Sequence, residues 1–177
     1  MKKLLAFIVS VLTFSLTLGQ VSSTIKDADF SAFLMNYETP FHGAISDSET
    51  AIKLKVEKAT KNPQRPEQYF VSGYSEVEEG NKTGFSGEIT FTQKYNVKDL
   101  PDEMLVFGDF VLKEQKSGEH SGVFTGKIRI QSPKVITKTG RAGVTCRGQW
   151  KNYSGNLDYE VWWANYVPKD ISKVVFK

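Results

Sequence analysis

Phe85-Ser86-Gly87-Glu88-Ile89-Thr90-Phe91 is the stretch on which the fold turns. Its odd positions are apolar or small and its even positions are polar. A side-chain period of two belongs to a β-strand with one buried face and one wet face. The same pattern recurs on both sides of it. Upstream, Val71, Gly73, Ser75 and Val77 share a parity. Downstream come Val106, Gly108, Phe110 and Leu112, then Phe124, Gly126, Ile128 and Ile130, then Cys146, Gly148 and Trp150. Between them stand polar residues such as Thr125, Lys127, Arg129, Arg147, Gln149 and Lys151.

Working outward, runs of β-branched and aromatic residues are separated by turn chemistry: Glu79-Gly-Asn-Lys, Lys116-Ser-Gly-Glu, Lys138-Thr-Gly-Arg and Ser154-Gly-Asn, with Asn62-Pro-Gln-Arg-Pro and Asp99-Leu-Pro-Asp in two further gaps. The spacing predicts strands over 41–46, 50–58, 68–77, 83–93, 104–114, 122–131, 143–153, 157–166 and 171–176. Connections this short favour pairing of each strand with the next. No stretch sustains a helical period. The expected fold is all-β, an antiparallel up-and-down meander barrel of eight to nine strands. Residues 24–40 read equally as a helical turn or a first strand.

Each of the five patterned strands carries one glycine on its apolar face: Gly73, Gly87, Gly108, Gly126 and Gly148. Pairing about the expected turns sets them side by side as a belt, beneath a row formed by Ser75, Phe85, Phe110, Phe124 and Trp150. A glycine inside a strand is locally unfavourable. It is kept where a sheet coils sharply, as barrel closure demands, or where something approaches the backbone. The belt therefore either bends the wall or hollows out room for a ligand.

The first residues read as a processing signal, not as structure. Met1-Lys2-Lys3 is followed by an apolar run from Leu4 to Leu18, too short and too rich in Ser and Thr for a comfortable membrane span. Residues 1–19 are the expected signal peptide, with residue 23 as the alternative end. Residues 20–40 form an N-terminal segment, and 41–177 a single β-barrel domain. The chain is expected to be exported, periplasmic or extracellular, with no integral membrane span and no lipid anchor. Without Lys2 and Lys3 the 23 basic residues fall to 21, against 20 acidic ones. That balance gives no reason to expect a nucleic-acid partner. Cys146 is the sole cysteine, so an internal disulfide is excluded, and its parity marks it as a buried apolar group.

Chemistry-bearing motifs are sparse. His42 and His120 stand far apart without metal-ligand spacing, so no metal and no cofactor is expected. Phosphate-loop, dinucleotide and nucleophile-elbow motifs do not occur. Glu114 has inward parity at the end of its strand, where an edge carboxylate in water is the expected reading, and no catalytic residue is assigned. Asn81-Lys-Thr and Asn152-Tyr-Ser read as turn residues. The aromatics are the most suggestive group. Tyr159 and Trp163 share the inward parity, whereas Trp162 points outward.

Tyr69-Phe-Val-Ser-Gly-Tyr-Ser-Glu-Val-Glu-Glu-Gly-Asn, Phe85-Ser-Gly-Glu-Ile, His120-Ser-Gly-Val-Phe-Thr-Gly, Gly148-Gln-Trp and Trp163-Ala-Asn-Tyr-Val-Pro168 resemble a group of secreted bacterial calycin-like proteins. The resemblance covers about 69–168. It implies a closed lipocalin-like barrel of a kind that often binds small apolar molecules. Lipocalins carry a Gly-x-Trp on the first strand, whereas Gly148-x-Trp150 lies near the end here, so no binding residue transfers. The expected function is non-catalytic binding of a small apolar or amphipathic ligand inside the barrel, lined by Phe85, Phe110, Phe124, Trp150 and Trp163. The alternative is a surface module with a filled core, binding a protein or glycan partner through Trp162.

Overall fold

In a computed structural model, residues 23–46, 50–77, 79–137 and 140–166 are described. Two short helices, α1 (Ser23–Asp27) and α2 (Ser31–Met35), precede a single turn of 3₁₀ helix. Eight strands follow: β1 (Phe41–Ile45), β2 (Thr50–Lys61), β3 (Gln68–Glu76), β4 (Lys82–Val97), β5 (Leu100–Glu114), β6 (Gly122–Pro133), β7 (Gly143–Asn152) and β8 (Asp158–Ala164). Every strand pairs antiparallel with the next, and β8 returns to pair with β1, so the sheet closes into a barrel. The expected signal peptide and the expected strand at 171–176 lie outside the described residues. No helix among those described is long and apolar enough to cross a membrane.

The period-two pattern sets the barrel's inside and outside. Phe85, Ile89, Phe91, Val106, Phe110, Leu112, Phe124, Ile128 and Ile130 are buried, while their polar neighbours line the outer wall. One end is stoppered by the N-terminal segment, which is helical rather than a strand. Phe30 is fully buried against Phe91, with ring centroids 4.8 Å apart. The Tyr69 hydroxyl accepts from the Phe30 N–H at 3.0 Å and donates to the Ala28 carbonyl at 3.1 Å. From β2, Lys55 donates to the Met35 carbonyl and Lys61 to that of Ala28, satisfying acceptors that such short helices leave open.

The belt is corrected by the register. Only Gly126 and Gly148 face each other. Gly73 lies opposite Phe85, Gly87 opposite Val71 and Leu112, and Gly108 opposite Phe91 and Ile128. The intended aromatic row is broken in the same way: Phe124 pairs with Trp150 but Phe110 pairs with Gly126. The β3–β4, β4–β5 and β5–β6 turns are centred one, two and one residues away from the expected midpoints, the β6–β7 turn lies where expected, and each residue of shift moves a pairing by two. The glycines thus step around the barrel against large residues instead of forming a ring.

The β4–β5 hairpin also differs from expectation. Its strands continue to Val97 and restart at Leu100, leaving a tight turn at Lys98-Asp99 where a longer loop was expected. Pro101 is tolerated because pairing of β5 with β6 begins only at Glu103.

What the glycines do is now a matter of distance. A Cβ on Gly148 would sit 1.9 Å from the Thr125 carbonyl oxygen, and one on Gly73 1.8 Å from that of Lys55. Corresponding atoms at Gly87, Gly108 and Gly126 would strike the Val111, Thr90 and Arg147 carbonyls at 2.0, 2.4 and 2.2 Å. Neighbouring backbone, not open space, occupies the side-chain position. The glycines let the wall coil.

Candidate functional site

The barrel interior divides into a filled middle and an open cup. In the middle, Phe110 meets Trp163 at 5.0 Å between centroids, and Phe124 meets Trp163 edge-on at 5.8 Å. Leu34, Leu54, Ile89, Ile128 and Cys146 pack around them, and the gap they leave is about 10 Å³, no more than a single water would need. Burial pushes the Cys146 thiol well above its ordinary range, so it packs as a hydrophobe and is not a reactive thiolate.

Above this packing, at the end opposite the helical stopper, is a cup of about 460 Å³. Phe124 and Trp150 lie toward its floor. Ile45, Thr83 and Tyr159 contribute to its wall, and Asn81 and His120 to its rim. Trp150 and Tyr159 lie parallel within 4°, with centroids 5.9 Å apart. They are direct partners across β7 and β8, so the pairing itself places both rings on the inward face. A volume in the few-hundred Å³ range with apolar walls and a few convergent polar groups suits a small ligand.

Of the five aromatics expected to line a ligand space, Phe124 and Trp150 border the cup. Phe110 and Trp163 belong to the filled middle, and Phe85 is buried opposite Gly73. Trp162 is half-buried on the outer wall, in register with Arg147 and Ala44. His42 is exposed on β1, across the barrel wall from the cup's lining.

Glu114 is the polar centre of the cup, and it departs from expectation. It is not an edge carboxylate in water: the residue is 6% exposed. Its carboxylate accepts from the Ser75 hydroxyl, from the Gly122 N–H at 2.9 Å and from the Trp150 indole N–H at 2.8 Å. Three strands and the tryptophan of the floor are tied together through one side chain. The Tyr153 hydroxyl adds a bond to the Glu114 carbonyl, fastening the β7–β8 turn to the same spot. That turn is itself built around Asn152, whose side-chain oxygen accepts from the Gly155 and Leu157 N–H groups.

Sequence parity placed Glu114 inward but missed its burial. The missing signal was the partner set, because Ser75, Gly122 and Trp150 converge only when the register is known. The bordering roles of Ile45, Asn81 and Thr83 were missed for the same reason.

Ser75, His120 and Glu114 all border the cup, which invites comparison with a nucleophilic relay. Such a relay needs the histidine between serine and carboxylate. Here Ser75 donates directly to Glu114, and no hydrogen bond among the described residues joins His120 to either. No group of His, Cys, Asp and Glu capable of holding a metal ion occurs among the described residues.

Comparison with family models, with curated proteins and with solved structures returns no match. The reading of the site therefore rests on its own geometry.

Proposed function

We propose that this protein is a non-catalytic binder of a small amphipathic molecule, exported from the cell and lipocalin-like in its mode of binding. The ligand is held in the mouth of the barrel and not in its middle. The observation that carries the reading is the contrast between a cup of about 460 Å³ bordered by Phe124, Trp150 and Tyr159 and a centre left with about 10 Å³. An apolar tail would lie against the rings, and a polar head would remain near Ser75, Asn81 and the open rim. Glu114 suits a structural and electrostatic role, since three donors already hold its oxygens.

The test is titration with n-octanol, a neutral amphiphile, followed by tryptophan fluorescence and calorimetry. Saturable binding at one site is expected. Thr83→Trp, which fills the cup from its wall without entering the core, is expected to weaken binding at least about tenfold, a change of about 1.4 kcal/mol. Absence of binding to the wild-type protein, or equal binding by the Thr83→Trp variant, would overturn the proposal. Native mass spectrometry of the purified protein reads the same site for a co-purifying molecule.

A further inference from the structure

We infer that the ligand of the cup carries a cationic head group of the amine type. The inference rests on the ligand-binding reading above and adds to it the sign of the ligand's charge.

The first observation is local. Glu114 is buried at the cup, and all three of its side-chain contacts are donors. That pattern suits a carboxylate, which only accepts. Its donors are a hydroxyl, a backbone amide and an indole, none of them positively charged, and none of the ion pairs among the described residues includes it. The described lining of the cup contains neither lysine nor arginine. A ligand carboxylate would meet a buried negative charge with no cation to offset it. An ammonium group would supply the missing counter-charge in surroundings where apolar walls weaken solvent screening. Oε1, which receives only the Ser75 hydroxyl among these contacts, has room for a further donor.

The second observation is the placement of charge along the chain. The up-and-down order puts the β1–β2, β3–β4, β5–β6 and β7–β8 connections at the mouth. Among the described residues these connections carry Glu79 and Glu119 against Lys116. The Lys116 ammonium lies over the Tyr153 ring, 5.0 Å from its centroid, and Tyr153 does not border the cup. Among the described residues, the connections at the other end carry Arg65, Lys98, Lys134 and Arg141 against Glu67 and Asp99. The described connections thus lean acidic at the end with the cup and basic at the other. Such a field draws cations toward the mouth and turns anions away.

The experiment compares three probes with one tail and three heads: n-octylammonium, n-octanol and n-octanoate, each titrated into the wild-type protein by calorimetry. The expected order of affinity is ammonium, alcohol, carboxylate, with about tenfold or more between the first and the last, equivalent to about 1.4 kcal/mol. Equal affinities, or octanoate binding best, would overturn the inference while leaving the ligand reading intact. Failure of all three probes to bind would overturn the ligand reading and this inference with it. Glu114→Gln is expected to erase the preference for ammonium. Because that variant also disturbs a buried hydrogen-bond centre, the loop variant Glu79→Gln with Glu119→Gln is measured beside it. That double substitution is expected to narrow the ammonium advantage with octanol affinity unchanged, and an unchanged advantage would count against the steering argument.

Discussion

At Gly148 a methyl group has nowhere to go. Its Cβ would lie 1.9 Å from the Thr125 carbonyl oxygen and 2.7 Å from the Gly126 Cα, both backbone atoms that cannot rotate aside. Relief requires the strands to part, with loss of ladder bonds on a tightly coiled stretch. Gly148→Ala is therefore expected to destabilise the protein by about 3 kcal/mol, the upper part of the range for overpacking. Gly143 on the same strand is the control, since its Cβ would meet only the Tyr166 ring at 3.7 Å. Gly143→Ala should stay within about 0.5 kcal/mol of wild type. Denaturant midpoints of the two variants decide the point, and equal midpoints would refute the coiling role. The recurring glycines were legible in the sequence, and so was their inward face. Their close approach to the next strand was not, because it depends on barrel curvature that period-two patterning does not encode.

Between elements, the most informative join is the helical stopper on the barrel wall. Tyr69 of β3 is fully buried, and its hydroxyl both accepts from the Phe30 N–H and donates to the Ala28 carbonyl. Burial pushes the phenol up to about 12, while the Phe30 N–H pulls it slightly back. Against an unfolded value near 10.0, the folded state thus holds the proton that the unfolded state has begun to release. The resulting stability is fully present below about pH 10 and is lost as pH rises toward about 12. Tyr69→Phe should cost about 1–2 kcal/mol at neutral pH, since it strands a buried N–H. The gap between the variant and wild type should close through the alkaline window, as followed by denaturation at stepped pH. A gap that stays constant would show that the phenol is not the titrating group. Residues 24–40 left helix and strand equally open because their short apolar pattern fits both. What decides for helix is the barrel end, where Phe30, Phe33 and Leu34 are all buried.

Across the whole molecule, the described connections lean acidic at the mouth and basic at the far end, because alternate connections fall at alternate ends. A field built from exposed loop charges is screened over about 10 Å at about 0.1 M salt. Binding of n-octylammonium should therefore weaken several-fold as salt is raised from about 0.01 to about 0.5 M, and binding of n-octanol should not. Parallel titrations at the two ionic strengths check this, and a salt-independent ammonium affinity would place the whole preference on buried Glu114. Chain-wide composition showed only the near-balance of charges. The difference between the described connections at the two ends becomes visible once the strand order is known.

The sequence by itself determined the all-β class, the antiparallel meander, the inward and outward faces of the patterned strands and the presence of a glycine on each. These are consequences of local periodicity and turn chemistry, which act within a hairpin. The tertiary structure decided three things that no single hairpin contains. Register set the glycines against large residues. Ring closure brought β8 onto β1 and squeezed the middle to about 10 Å³ while leaving the mouth open. Convergence of Ser75, Gly122 and Trp150 on Glu114 turned an expected edge carboxylate into the buried centre of the cup. Each depends on shear and curvature summed around eight strands, where a shift of one residue at a turn moves every contact beyond it.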